Sequence, residues 1–190
     1  MNESAREAIL EAARRTAQAH GYGGLNFRDI GAEVGIKAAS VYHHFPSKAD
    51  LGAAVAKRYW ENTAANLERL STESGDPQKA LRDYPGLFRR SLEENNRMCL
   101  CSFMAAEYDD LPDAVKTEVQ TFASVNVAWL AKMLAAAESV PESQCVNKAR
   151  AIFAAVAGAQ LMARSRADLG LFDTLIASFQ ESGLIPTIRS

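Results

Sequence analysis

Apolar residues recur every three or four positions along most of the chain, which is the spacing that places them on one face of an α-helix. The first such segment covers about residues 4–20, with Ile9, Ala13 and Ala17 on one face. No segment alternates between apolar and polar residues as a half-buried strand does, and the sequence has no internal repeat. The pattern therefore predicts an all-α protein.

Glycine, proline and capping residues divide this pattern into about nine helices. Gly21 is placed to end the first helix, and turn-forming residues interrupt the pattern at 71–77. Pro112 and Pro141 stand where helices should begin, since proline in the first turn loses no helical hydrogen bond, and Asp76 can cap the fifth helix. The later helices are predicted over about residues 77–94, 98–108, 112–138, 142–166 and 168–181.

Residues 25–51 predict two short helices joined by a tight turn and followed by a long fourth helix. The side chain of Asn26 can accept a backbone hydrogen bond where the first of the pair begins. Gly31 would allow a neighbouring segment to approach closely, and Gly35 would supply the positive φ that the turn requires. Such a pair is a helix-turn-helix, and in the DNA-binding version its second helix, here about residues 38–44, lies in the major groove.

The residue types of the second helix suit DNA. Those small enough to approach base edges are Ala38, Ala39 and Ser40, and those long enough to reach phosphates are Lys37, Tyr42 and His44. Ser47 and Asp50 form a capping-box variant at the start of the fourth helix, where Lys48 and free N–H groups would clamp a phosphate. On this pattern alone, a helical hairpin in an ordinary core fits equally well, with Tyr42, His43 and His44 as a partly buried aromatic cluster.

The run Val41-Tyr42-His43-His44-Phe45-Pro46-Ser47-Lys48 resembles the recognition segment of the TetR (TetR/AcrR) family of transcriptional regulators. The resemblance is strong over roughly the first fifty residues, and beyond them only length and helix order are similar. It implies an N-terminal three-helix helix-turn-helix DNA-binding domain over residues 1–48 and a C-terminal helical effector-binding and dimerisation domain over residues 49–190. The residues that would take DNA-contact roles are Arg28, Lys37, Ala39, Ser40, Tyr42, His43, His44 and Lys48.

Residues 149–162 are apolar nearly all the way round the predicted helix, so this helix should be buried on more than one side. Phe153, Val156 and Gln160 are predicted to meet the chain's own core. The resemblance implies that the last two helices pair with their symmetry mates as a four-helix bundle. The predicted dimer contacts are Ile152, Ala155, Ala159, Met162, Leu171, Phe172, Leu175 and Phe179. Burial inside a monomer is the alternative.

The resemblance also implies a small-molecule effector held by the central helices. The candidate pocket residues are Trp60 (or Tyr59 beside it), Phe88, Cys99, Phe103, Met104, Tyr108, Phe122, Asn126 and Trp129. Asn126 interrupts an apolar stripe, and a buried amide requires a hydrogen-bond partner, which would be an effector or a neighbouring helix. Aromatic residues at helical spacing are more often part of a plain core than of a binding pocket, and such a core is the alternative.

The three cysteines do not form a secreted disulfide framework, because their number is odd. Cys99 and Cys101 lie two residues apart, so on a helix their side chains point about 200° away from each other and cannot share one metal ion or form a disulfide. A reactive Cys99 or Cys101 that senses oxidants or electrophiles is one hypothesis. Inert buried thiols are the other.

Composition limits the remaining classes. The 190 residues, 48% hydrophobic, 23% charged and with a net charge of −2, suit a folded protein with a sizeable core. No apolar run is long enough to cross a bilayer and no signal peptide is evident, so we expect a cytoplasmic protein. All three histidines precede residue 45 and no catalytic motif is evident, so we expect no enzyme activity, no cofactor and no metal.

The sequence therefore predicts a ligand-responsive transcriptional regulator that binds a pseudo-palindromic operator as a homodimer. Repression, relieved by a small-molecule effector, is the expected sense. An activator, a cysteine-based redox or electrophile sensor, and a helical interaction module without DNA binding are the alternatives. Charges of residues 1–50 cancel, so affinity must rest on a few well-placed cations and on dimerisation, with strong salt dependence.

Overall fold

The structure is a computed structural model that describes residues 3–138 and 140–187. Within those ranges every regular element is helical, which confirms the all-α prediction. The α-helices are α1 (Glu3–His20), α2 (Phe27–Val34), α3 (Ala38–His44), α4 (Lys48–Ser74), α5 (Pro77–Asp83), α6 (Gly86–Glu93), α7 (Leu100–Ala106), α8 (Asp113–Ala136), α9 (Glu142–Arg166) and α10 (Leu169–Glu181). One 3-10 turn, Tyr108–Asp110, lies between α7 and α8.

The predicted fifth helix is two helices in the structure. α5 ends at Asp83 and α6 begins at Gly86, with Tyr84 and Pro85 between them. Because Pro85 has no backbone N–H, it cannot donate the hydrogen bond that would continue α5. This division gives ten α-helices in the described part of the chain where the sequence predicted about nine.

The predicted helix ends are largely confirmed. The carboxylate of Asp76 accepts the N–H groups of Gln78 at 3.0 Å and Lys79 at 3.2 Å, and so caps α5. Gly21 follows α1 with a φ of +68°. These ends were predictable because each depends on residues close together in sequence.

The described chain divides into two compact units. The first contains residues 3–61 and Leu100–Phe122, and the second contains Asn62–Cys99 and the described residues from 123 onward. Buried side chains of the first include Ile9, Val41, Leu51, Met104 and Val115. Those of the second include Leu67, Tyr84, Leu130, Ile152 and Phe172. These units are defined by how the chain packs. The boundary after residue 48 between a DNA-binding and an effector-binding domain stays a prediction.

None of the helices in the two described ranges combines the length and apolar character needed to cross a bilayer.

Candidate nucleic-acid interface

Two glycines shape the turn between α2 and α3, as the sequence predicted. Gly35 ends α2 with a φ of +78°, a conformation that L side chains rarely adopt. A Cβ on Gly31 would lie 2.9 Å from the carbonyl oxygen of Ile36, whose N–H donates to the Gly31 carbonyl at 2.8 Å. Any larger residue at 31 would push α3 away from α2. The side chain of Asn26 caps α2 by accepting the N–H groups of Arg28 and Asp29.

Helix α3 buries a single side chain, Val41, and exposes most of the rest. The exposed set is Ala39, Ser40, Tyr42 and His43, with His44 half-buried. Tyr42 is 56% exposed, and its ring lies 4.4 Å from that of Phe27 at the start of α2. This exposure is inconsistent with a partly buried Tyr-His-His cluster in an ordinary core. Helix α3 is therefore held to its unit by the buried side chain of Val41, and its other face is exposed to solvent.

A groove of about 310 Å³ lies where α2, α3 and α4 begin. Its lining residues are Leu25, Asn26, Phe27, Arg28, Ala38, Tyr42 and Lys48. The positive end of the helix dipole lies at a helix beginning, and Arg28 and Lys48 add two cations, so such a groove favours an anion.

The charges of the first unit are unevenly paired. On α1, Arg14 pairs with Glu11 at 2.7 Å and Arg15 pairs with Glu33 of α2 at 2.6 Å. The hydrogen bond from Arg14 is the largest cause of a lowered pKa at Glu11, and the bond to Glu33 raises the pKa of Arg15. A further pair joins Arg58 of α4 to Glu7 of α1.

By contrast, neither Arg28 nor Lys37 makes a side-chain hydrogen bond or an ion pair within the described residues, and both are exposed. These two cations flank α3, one near the start of α2 and one just before α3. Arg28 and Lys37 are therefore available beside α3, whereas the carboxylates of Glu7, Glu11 and Glu33 are occupied by arginines of α1 and α4.

Lys48 is anchored within the first unit. Its Nζ donates to the carbonyl oxygen of Gly23 at 3.0 Å and lies 4.7 Å from the centre of the Tyr22 ring. Beside it, the hydroxyl of Ser47 accepts the N–H of Asp50 at 3.1 Å and donates to the Asp50 carboxylate at 2.7 Å, so the predicted capping box is confirmed. Lys48 thus lines the groove while its ammonium is held by the turn at Tyr22 and Gly23.

The predicted pocket residues are divided between the two units. Those of the first unit are Trp60, Phe103, Met104, Tyr108 and Phe122. Trp60 donates from Nε1 to Glu118 at 2.6 Å, and the buried ring of Phe122 lies 5.7 Å from that of Tyr59. Tyr108 is 46% exposed, with the ammonium of Lys116 4.9 Å from its ring. The predicted helix ran to residue 108, but α7 ends at Ala106 and Tyr108 begins a 3-10 turn.

The pocket residues of the second unit are Phe88, Cys99, Asn126 and Trp129, all buried. Asn126 has its partner in the chain itself, because the hydroxyl of Tyr84 donates to its Oδ1 at 2.9 Å. The Tyr84 ring stacks on that of Trp129 at 5.7 Å. Burial, and secondarily Cys99, raises the pKa of Tyr84 well above its usual range, so the hydroxyl stays protonated as a donor. Sequence analysis missed Tyr84, since nothing local marks it.

Gln160 of α9 joins two further segments of the second unit. Its Oε1 accepts the N–H of Cys99 at 3.0 Å, and its Nε2 donates to the carbonyl of Phe88 at 2.8 Å. Both Gln160 and Val156 are fully buried, which confirms their predicted core position. All three thiols are shielded as well, with Cys99 2%, Cys101 1% and Cys145 3% exposed. This burial favours inert thiols over a sensor, because reactive cysteines are accessible.

Three predicted dimer contacts require correction. Ile152, Ala159 and Phe172 are at most 2% exposed, because they face the core of their own unit. The buried stripe of α9 is Cys145, Ala149, Ile152, Val156, Ala159, Gln160 and Ala163. Of the other predicted contacts, Met162 is exposed, while Ala155, Leu171, Leu175 and Phe179 are half-buried. Beside Met162 lies Leu161, 57% exposed, which the sequence analysis missed.

Comparison of the sequence with known proteins finds relatives of its N-terminal part. Residues 9–55 match the profile of a family described as "Bacterial regulatory proteins, tetR family". The "HTH-type transcriptional repressor AcnR" of Corynebacterium diphtheriae is 36% identical over 70 residues, covering 37% of this chain and 35% of that protein. The chain thus matches about a third of the length of this curated relative.

Similar solved structures extend over nearly the whole chain. A TetR transcriptional regulator from Legionella pneumophila has a TM-score of 0.88 at 28% identity, covering 96% of this chain and 99% of that chain. A regulator of the TetR family from Agrobacterium tumefaciens has a TM-score of 0.88 at 30% identity, covering 95% of this chain and 97% of that chain.

Proposed function

The chain belongs to the TetR family of transcriptional regulators, and from that premise we propose that it binds a pseudo-palindromic operator as a homodimer and releases it when a small-molecule effector binds. The observation that carries the proposal is α3, a short helix with one buried residue and an exposed face between unpaired cations. Ala39 and Ser40 leave room for base edges, and Tyr42 and His43 extend from the same helix.

The groove beside α3 supports a contact with the DNA phosphate backbone, in addition to the contacts of α3 with the bases. Arg28 and Lys48 line it together with the start of α2, so a phosphate there would meet two cations. Phosphate contacts of this kind fix the register of a protein on DNA, while α3 reads the sequence. Our proposal therefore assigns Arg28, Lys37, Tyr42, His44 and Lys48 mainly to phosphates.

The proposed dimer forms through an apolar surface of α9 and α10. Leu161 and Met162 are large apolar side chains left exposed in one copy of the chain. Leu171, Leu175 and Phe179 of α10 are half-buried and would complete the surface. A two-fold dimer would place two α3 helices about 34–36 Å apart, one turn of DNA, which is the reason for expecting a pseudo-palindrome.

We propose repression as the sense of regulation, because the relatives that the N-terminal part matches are named repressors. The effector response rests on family membership. Its candidate residues stay a proposal. Because a regulator must reach the chromosome, we also propose a cytoplasmic location.

The decisive experiment is selection of DNA by the purified protein. Fragmented genomic DNA of the source organism is incubated with the protein, and the retained fragments are sequenced and searched for a shared inverted repeat. We expect one motif with half-sites about 10 base pairs apart, centre to centre, enriched upstream of a transcription unit. Recovery of random fragments only would refute operator binding. A thermal-shift screen of small molecules, repeated with the operator bound, tests the effector.

A further inference from the structure

The carboxylate of Glu107, just after α7, is bound to the turn between α1 and α2. Its Oε2 accepts the N–H of Tyr22 at 2.6 Å, and its Oε1 accepts the N–H of Gly23 at 3.1 Å. Successive backbone N–H groups that converge on one anion form a concave anion-binding arrangement. The turn that precedes the helix-turn-helix is therefore held by a residue from a distant part of the sequence.

The glycines of this turn are matched to the carboxylate. Gly21 has a φ of +68°, and a Cβ there would collide with the carboxylate group of Glu107. A Cβ on Gly23 would lie 3.3 Å from Glu107 Oε1. Side chains at these two positions would displace Glu107, so the turn and the carboxylate fit each other at several points.

The same turn holds Lys48 from its other side. The carbonyl oxygen of Gly23 accepts a hydrogen bond from the Lys48 ammonium, and the N–H of Gly23 donates a hydrogen bond to Glu107. The Tyr22 ring, which lies under that ammonium, is itself packed so closely on α4 that a Cβ on Gly52 would be 2.7 Å from it. Glu107 and Lys48 thus bind the same residue, Gly23, on two successive peptide groups, so the position of Gly23 links the carboxylate to the ammonium.

The Lys48 ammonium has three N–H donors, of which the Gly23 carbonyl takes one. Lys48 also lines the groove with Arg28 and Tyr42. A lysine side chain that is already anchored loses less conformational freedom when it meets a phosphate than a freely rotating one does. The anchor therefore favours the bound form of Lys48.

We propose that Glu107 is a positioning residue for operator binding: by fixing the turn at Gly23 it holds the Lys48 ammonium where a DNA phosphate binds, and so makes operator affinity depend on the position of α7. The inference rests on the proposed DNA-binding function. Glu107 itself touches no DNA in this scheme. It acts through Gly23 and Lys48, and this distinguishes it from the contact residues.

The test compares Glu107→Gln with Asp109→Asn on the selected operator. Both changes remove one negative charge from the same short segment, but Asp109 is exposed and does not bond the turn. We expect Glu107→Gln to weaken operator binding about three- to tenfold and to reduce the slope of log affinity against log salt by about one phosphate contact, as Lys48→Ala does. Asp109→Asn should keep both the affinity and the full slope.

A double variant separates positioning from a general structural effect. The variant that combines Glu107→Gln with Lys48→Ala should bind the operator no more weakly than Lys48→Ala alone, because Glu107 acts only through the ammonium that Lys48→Ala removes. Additive losses, or an unchanged salt slope in Glu107→Gln, would overturn the inference. If wild type fails to select any operator, the proposed function fails. If wild type binds and Glu107→Gln equals Asp109→Asn, only the inference fails.

Should Glu107→Gln not fold as the wild-type protein does, amide hydrogen exchange on the wild type decides the matter. The N–H groups of Tyr22 and Gly23 should exchange slowly in the operator complex, because the Glu107 contact is part of the DNA-bound form. Fast exchange of both in the complex, with slow exchange in the free protein, would show that DNA binding breaks the contact and would refute the inference.

Discussion

The hydroxyl of Tyr84 donates a 2.9 Å hydrogen bond to Oδ1 of Asn126, and both residues are completely buried. In the second unit this bond satisfies an amide that the sequence alone left with two possible partners, an effector or a neighbouring helix. Since burial also raises the pKa of Tyr84, the bond is a donor–acceptor pair that persists through the neutral range.

Tyr84→Phe should lower the free energy of unfolding by about 1–3 kcal/mol, because it leaves a buried amide oxygen without this donor while preserving the ring. Urea unfolding followed by circular dichroism measures the change. Tyr108→Phe is the matched control, since its hydroxyl lies on an exposed residue, and it should change stability by less than about 0.5 kcal/mol. Equal effects from the two substitutions would contradict the assigned bond.

The raised pKa of Tyr84 predicts a contribution to stability at alkaline pH. Because the folded state holds this proton more tightly than the unfolded state, the contribution is fully present below the unfolded pKa of about 10 and is lost as pH rises above it. Wild type should therefore lose stability more steeply than Tyr84→Phe between about pH 10 and 11. Parallel curves in urea titrations across this range would argue against a buried, protonated Tyr84.

Tyr42→Ala and Ser40→Ala should each weaken operator binding by about 1–3 kcal/mol while the oligomeric state stays unchanged. Tyr42→Phe separates two roles, because it keeps the ring contact with Phe27 and removes only the hydroxyl. Fluorescence anisotropy with the selected operator gives the affinities. Thr72→Ala, at an exposed position of α4, is the control and should bind as wild type does. Normal binding by Tyr42→Ala would show that α3 is not the recognition helix.

Leu161→Glu combined with Met162→Glu should convert the proposed dimer to a monomer, since it places two charges in an apolar surface. Sedimentation velocity at micromolar protein measures the state, and the monomer should also lose operator affinity. Ser143→Glu adds a charge at an exposed position in the first turn of the same helix and should leave the state unchanged. A double variant that remains dimeric would place the interface elsewhere.

The three cysteines should react slowly with iodoacetamide in the native protein and quickly in urea, because each is at most 3% exposed. Mass spectrometry after timed quenching assigns the label to each thiol. Cys145 serves as the internal comparison, since it belongs to no sensing hypothesis. Rapid native labelling of Cys99 or Cys101 alone would restore the interpretation of a cysteine-based sensor.

The sequence predicted the local features of the first unit well. The Asn26 cap, the close approach at Gly31 and the left-handed Gly35 depend on a few neighbouring residues, so the amino-acid types indicate them directly. The division at Pro85 was missed, although proline inside a helical pattern indicates an interruption, because the apolar spacing continues across it.

The sides of the later helices were harder to predict. α9 is apolar nearly all the way round, so its sequence does not indicate which face is buried. Only packing in the folded chain decides that Ile152 faces the core while Leu161 and Met162 are exposed. The partners of Asn126 and of the turn at Tyr22 lie far away in sequence, in Tyr84 and Glu107. No local pattern reports such contacts.

The pairing of Glu7, Glu11 and Glu33 with arginines has a consequence for how the protein would search a genome. With a net charge of −2, the chain as a whole gains little from the general electrostatic attraction that lets basic proteins slide along any duplex. Under the proposed function, attraction would be confined to the surface around Arg28, Lys37 and Lys48, so most random encounters would separate at once. Competition from the vast excess of non-cognate sites is weakened, and a modest affinity for the right sequence can then suffice.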